Sequence, residues 1–311
     1  MLRRILLAAS GSDRTRQLIT SSSFSRGIVA RYVAGETAEE AVAVTRQLAA
    51  SGLLVTLDHL GEETADPDQA AAVAAEYTGL LGQLSAAGLA TGGRAEVSVK
   101  PTAVGLGLAN RGEETAAENI AKICAAARSA GTTVTVDMED HTRVEATLRM
   151  VGDLQEEFPD LGCVIQSSLR RSAADCAGLA RAGSRVRLCK GAYRAPEDVA
   201  FAARSEVDRS YARCLRTLMN GPGFPMIATH DPRLIRIGAG LAELGGRPPG
   251  SYEFQMLYGV RPDEQRRLAG TGALVRVYLP YGNDWYRYLV RRLAERPANL
   301  AFFMRSLASS G

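Results

Sequence analysis

No stretch of this 311-residue sequence approaches the roughly 20 consecutive apolar residues that span a bilayer, so any membrane contact is expected to be peripheral. The opening MLRRILLAAS imitates a signal peptide. Its apolar run falls short of the roughly 7–15 residues of an h-region, and it reads as the start of an ordinary helix. A basic, partly apolar helix suits either the inner face of the cytoplasmic membrane or plain solvation, and both readings stay open. Net charge is almost absent, with 37 Lys and Arg against 34 Asp and Glu, which argues against nucleic acid as a partner. The five cysteines, Cys124, Cys163, Cys176, Cys189 and Cys214, form no CxxC or other ligand spacing and read as reduced thiols of a cytoplasmic protein. Only three histidines occur, His59, His141 and His230; no HxH links them, and no HxxE starts at His230. A metal centre built from His230, Asp231 and Glu139, as in a barrel hydrolase or aldolase, therefore has no spacing in its favour, and no metal is expected. No low-complexity segment, charge run or Pro-rich linker divides the chain. Residues 1–311 are expected to form one domain, with 1–50 as an N-terminal helical extension.

Within residues 1–50, Thr37-Ala-Glu-Glu has the form of a capping box leading into an Ala/Val/Leu-rich helix. From residue 53 onward short β-prone runs alternate with longer Ala/Leu/Arg-rich stretches. The runs are 53–57, 95–99, 132–136, 163–167, 185–189, 225–229, 252–256 and 273–279. Each interval between them has room for a helix, and the segment after the eighth run supplies one more. Eight such units predict an α/β fold of the (β/α)₈, TIM-barrel class, with N-terminal helices and a C-terminal helix over the barrel mouth. The competing open, doubly wound sheet calls for a Gly-rich turn after an early strand, and GLGLANRG (105–112) fits GxGxxG poorly.

Active sites of such barrels lie at the C-terminal ends of the strands. Polar residues stand there in every unit: Asp58 and His59, Lys100, Asp137 with Glu139, Gln166, Arg187 with Lys190, Thr229 with His230, Gln255, and Tyr278. Lys100 and Asp137 end neighbouring strands, so an ion pair across the mouth is expected, able either to orient a zwitterion or merely to brace the barrel. In VRLCKGAYR (186–194) two basic residues precede Gly-Ala, a turn that lets backbone approach a phosphate or an electron-rich heterocycle. After the last strand, a helix from about Asp284 carries Tyr288, Arg291, Arg292 and Glu295 within two turns. Two guanidinium forks can clamp a carboxylate. An Arg-rich solvated face is the alternative.

Six segments, VSVKPTAVGL (97–106), VTVDMED (134–140), VRLCKGAY (186–193), ATHD (228–231), YEFQMLYGV (252–260) and RVYLPYG with WYRYLVRRLAE (276–295), together resemble the monofunctional bacterial proline dehydrogenases. The resemblance implies an FAD-dependent oxidoreductase that takes L-proline to Δ1-pyrroline-5-carboxylate and passes electrons to a membrane quinone. A related cyclic imino acid, hydroxyproline or pipecolate, is the alternative substrate. It implies that Lys100, Arg291 and Arg292 hold the substrate carboxylate, that Asp137 holds Lys100 and Tyr278, and that Tyr278 and Tyr288 wall the ring. It further implies FAD contacts from Met138, Gln166, Arg187 and the Lys190-Gly191-Ala192-Tyr193 turn. Thr229 and His230 also fall on this list, and Glu295 supports the arginine pair beside the cofactor. Asp137 and Arg187 are the residues implied for catalysis, Arg187 at the reactive edge of the flavin.

Overall fold

The β-branched runs become eight parallel strands that close on themselves in chain order. The computed structural model describes residues 23–61, 64–286, 288 and 289. Its strands are β1 Leu54–His59, β2 Ala95–Val99, β3 Val134–Val136, β4 Gly162–Gln166, β5 Arg185–Cys189, β6 Phe224–Ala228, β7 Glu253–Leu257 and β8 Leu274–Tyr281. β8 returns to β1 in register from Leu54↔Arg276 to His59↔Tyr281, which seals the barrel. Every expected strand is present, β2 and β5 with the expected ends and the rest shifted by a residue or two. β3 starts late because the Thr132 amide donates to Ala127 O at the end of the preceding helix, and its hydroxyl rather than its backbone reaches Ala95 O.

Helices α1 Ser23–Tyr32 and α2 Ala38–Ala50 precede the barrel. Seven more, α3 Pro67–Ala86, α4 Gly112–Ser129, α5 Val144–Leu154, α6 Ser172–Leu179, α7 Arg204–Asn220, α8 Pro232–Leu244 and α9 Pro262–Gly270, alternate with the strands. The box at Thr37 forms as the spacing predicts. The Glu40 amide donates to Thr37 Oγ1 at 3.3 Å and the Thr37 amide to Glu40 Oε2 at 3.1 Å. Asp66 and Asp231 cap α3 and α8, each followed by a proline whose missing N–H costs nothing at a first turn.

Alternate strand positions divide the sheet into two unlike faces. The outward set, including Val55, Leu57, Val97, Val136, Leu188, Phe254 and Val277, is buried against the helices. Each such side chain gains about 1.5–3 kcal/mol from leaving water, and this layer carries most of the fold's stability. The inward set is polar: Thr56, Asp58, Glu96, Ser98, Thr135, Arg187, Glu253, Gln255 and Arg276 are all buried. Barrel interiors are ordinarily filled by branched aliphatic residues. Here Arg185 on β5 reaches Glu96 on β2 at 2.6 Å, and Arg187 reaches Ser98 at 2.8 Å. Those strands are not neighbours, so the bonds cross the interior.

A smaller apolar cluster covers part of the C-terminal face. Tyr32 and Val33 from the end of α1 pack with Leu60 and with Trp285, Tyr286, Tyr288 and Leu289. The Ala34 amide donates to Pro280 O at 2.9 Å, the Gly282 amide to Gly35 O at 3.0 Å, and Trp285 Nε1 to Glu36 Oε1 at 2.8 Å. Gly259 has φ +72°, and a Cβ there would fall 1.8 Å from Arg31 O, so only glycine admits α1 at this distance.

Candidate active site

Arg187 enters the barrel from the middle of β5, held there by flanking Val186 and Leu188, which bury outward. Its Nη1 donates to Asp137 Oδ1 at 2.6 Å and to Ser98 Oγ at 2.8 Å, and its Nε donates to Gln255 Oε1 at 2.6 Å. Asp137 follows β3, and its other oxygen accepts the Tyr278 hydroxyl at 2.7 Å. The Tyr278 ring centroid lies 5.3 Å from the Arg187 guanidinium carbon, a cation–π distance. Burial, helped by the charge of Asp137, pushes the Tyr278 hydroxyl well above its ordinary value, so it stays a proton donor. Side chains from three strands thus converge on one part-buried carboxylate.

Lys100 does not pair with Asp137 as expected. Its Nζ donates to Asp58 Oδ1 at the end of β1, and both side chains are buried. The reason is coordination: Asp137 is already engaged by Ser98, Arg187 and Tyr278. The side on which Lys100 meets β1 offers a carboxylate with room. Burial works against the ammonium, but Asp58, Asp137 and Glu139 outweigh it and leave Lys100 above its ordinary value. Burial raises Asp58, against the attraction of Lys100. Asp137 still holds Tyr278, the other half of that expectation.

Neighbouring side chains fix the strand ends. The Tyr77 hydroxyl, from α3, donates to Ser98 O at 2.8 Å and accepts from the His59 amide at 3.1 Å. Glu139 accepts the Thr102 amide at 2.9 Å and its hydroxyl at 2.6 Å, which pins the turn after Lys100, while Gln166 Nε2 donates to Glu139 O at 2.6 Å. Burial raises the Glu139 carboxyl despite those two bonds.

The other expected residues are spread around the face. Met138 is buried with Val144, Val164 and Leu169. Lys190 turns outward to Asp208 at 2.6 Å and Asp231 at 3.2 Å. Gly191, Ala192 and Tyr193 are exposed, and Gly191 has φ +102° with Ser168 Oγ 2.3 Å from where a Cβ would stand. Thr229 Oγ1 accepts the Asp231 amide at 3.1 Å, and His230 Nε2 accepts the Leu257 amide at 2.9 Å. His230, Asp231 and Glu139 thus each serve separate backbone or ion-pair partners, and among the described residues no group of three such side chains could hold a metal. Tyr288 is buried in the cluster under α1. Arg291, Arg292 and Glu295 lie outside the described residues.

Arg187 Nη2 is buried without a hydrogen-bond partner among the described residues, its contact with Glu96 Oε1 being 3.9 Å. An unmade bond on a buried guanidinium is costly unless something else accepts it. The donor set around it, cationic and fixed, fits an electron-rich heterocycle.

The proline dehydrogenase family model matches residues 41–305. The chain belongs to the proline dehydrogenase family. It is 36% identical over 307 residues to proline dehydrogenase 1 of Bacillus subtilis, covering 99% of both chains. It is 36% identical over 309 residues to the proline dehydrogenase of Deinococcus radiodurans, covering 99% of this chain and 98% of the other. The crystal structure of proline utilization A from Bdellovibrio bacteriovorus, inactivated by N-propargylglycine, superposes with a TM-score of 0.81 at 25% identity. The match covers 92% of this chain and 34% of that larger polypeptide. Membership accounts for the barrel and for the alignment of polar strand ends at one face. Asp58, Ser98 and Gln255 complete the mouth. In the sequence Asp58 and Gln255 stand out only as polar strand-end residues, and Ser98, a small residue inside a strand, carries no signal of its own.

Proposed function

We propose that this chain oxidises L-proline to Δ1-pyrroline-5-carboxylate using FAD held at the barrel mouth, passing the electrons to a membrane quinone as the first step of proline degradation to glutamate. The observation that carries this reading is the Arg187–Asp137–Tyr278 cluster, in which the buried Arg187 guanidinium keeps an unsatisfied Nη2, set in a member of the proline dehydrogenase family.

FAD, when bound, supplies the two-electron acceptor for the hydride leaving the ring carbon next to nitrogen. Arg187 holds positive charge where negative charge gathers as the transfer proceeds, and it needs no reorganisation because Asp137, Ser98 and Gln255 already fix it. Met138, Gln166, the 190–193 turn, Thr229 and His230 supply the remaining cofactor contacts, with Glu295 beside them. Lys100, Arg291 and Arg292 hold the substrate carboxylate, so orientation is set by charge-assisted bonds. The rings of Tyr278 and Tyr288 exclude water from the reacting carbon. The cluster with Tyr32, Val33 and Leu60 fixes Trp285, Tyr286, Tyr288 and Leu289 just ahead of the arginine pair. Delivery of electrons to a quinone requires only a peripheral meeting with the bilayer, and no described helix is long and apolar enough to cross a membrane.

The test is spectroscopic and kinetic. Purified protein supplied with FAD should show bound-flavin absorbance, bleach on adding L-proline without oxygen, and reduce a quinone analogue. A protein that retains no flavin and reduces no dye with proline refutes the reading. Faster bleaching by hydroxyproline or pipecolate reassigns the substrate.

A further inference from the structure

From Arg187 at the site, a chain of buried polar contacts runs down into the barrel interior. Arg187 Nε donates to Gln255 Oε1 at 2.6 Å. Gln255 Nε2 donates in turn to Glu253 Oε1 at 2.5 Å. Glu253 is gripped by Arg276, Nε to Oε1 at 2.8 Å and Nη2 to Oε2 at 3.1 Å, and Arg276 Nη1 donates to Val55 O at 2.9 Å. Glu253 has no exposed surface, and Gln255 and Arg276 are almost fully buried.

We infer that Glu253 is a positioning residue for the redox site: acting through the Gln255 amide, it decides how the Arg187 guanidinium is held. A carboxamide has an accepting end and a donating end that differ little in shape. Against a guanidinium only the accepting end is useful, and the reversed amide would set N–H against N–H. Nothing in Gln255 itself makes that choice. Glu253 makes it, because a carboxylate can only accept and therefore captures the NH₂ end. The two side chains lie two residues apart on β7 and face the same way, as the strand period requires. Arg276 fixes Glu253 at two points, so the carboxylate cannot turn aside. A brace between β7 and β8 would need the Glu253–Arg276 pair alone. The bonds onward to Gln255 and Arg187 are what a brace would not need.

This inference rests on the proposed place of Arg187 beside the flavin, but the relay can be read in the protein without cofactor. With uniform ¹⁵N labelling, the Arg187 Nε–H resonance, assigned by its loss in Arg187→Lys, should exchange slowly with solvent in the wild-type protein. In Glu253→Gln and in Gln255→Met it should exchange at least ~10-fold faster. Gln255→Met leaves the Glu253–Arg276 pair intact, so it reports on the relay if Glu253→Gln folds poorly. In the FAD-loaded protein, single-turnover flavin reduction by proline should slow ~10-fold in each variant with the proline KM unchanged. The double variant should be no slower than either single one, as expected for residues acting in series. Equal Nε–H protection in wild type and both variants, or rate losses that multiply in the double variant, overturns the relay. A wild-type protein that shows the protected Nε–H but binds no FAD overturns the proposed function and leaves the relay standing.

Discussion

Tyr278 and Arg187 share one carboxylate: Asp137 accepts the phenol on one oxygen and the guanidinium on the other, and the ring lies within cation–π distance of the charge. Tyr278→Phe keeps the ring and removes one hydrogen bond to a charged acceptor, an interaction worth about 1.5–3 kcal/mol. A fall in kcat/KM for proline of roughly 10- to 100-fold is expected, with flavin retained. An unchanged kcat/KM would show that the phenol proton does not hold Asp137 in its working position.

Lys100→Met strands the Asp58 carboxylate in a buried site, and Asp58→Asn strands the ammonium. Breaking one side of a buried pair costs about 3–5 kcal/mol. Urea unfolding should show each single variant destabilised by that order, and the Lys100→Met, Asp58→Asn double variant by less than the sum. Strict additivity would mean that the two groups do not stabilise each other.

Glu96 links the interior to acid stability. Burial alone would raise its carboxyl, yet Arg185, Arg276 and Arg187 outweigh that and hold it at about 2, below its ordinary 4.5. A carboxyl depressed in the folded state stabilises the fold fully above its unfolded value and loses that contribution as pH falls from about 5 to 2. The contribution is on the order of 3 kcal/mol. Glu96→Gln should be less stable at pH 7 and show a flatter fall in unfolding free energy across that window. An equally steep fall in the variant would assign the acid sensitivity to other groups.

The eight strands could be read directly because β-branched runs separated by helix-length intervals leave few other folds, and the Thr37 box because four residues suffice to make it. The partner of Lys100 could not. Strand order alone offered Asp137, and only the coordination around Asp137, completed by Tyr278 from the far end of the chain, shows why Asp58 takes its place. The interior was hidden for a related reason. A charged residue inside a strand reads as facing water, and Glu96, Glu253 and Arg276 make sense only once distances within the barrel interior pair them. The one trace they left was charge at alternate positions of otherwise apolar strands. Arg291, Arg292 and Glu295 remain a reading of the sequence.

For that arginine pair the expectation is functional. Arg291→Met and Arg292→Met should each raise the proline KM by roughly 10- to 100-fold, the range that follows from one buried charge-assisted contact. An unchanged KM in both would remove the carboxylate clamp from the proposed mechanism.

The bonds from Ala34, Gly35 and Glu36 to Pro280, Gly282 and Trp285 join segments almost a whole chain apart. During synthesis, α1 leaves the ribosome well before β8, and Tyr32 and Val33 wait for Trp285, Tyr286, Tyr288 and Leu289 to cover them. Loop closure over such a span is slow and comes late. The mouth is therefore the last part of the molecule to be completed, and a chain truncated before β8 exposes an apolar surface that quality-control proteases can recognise.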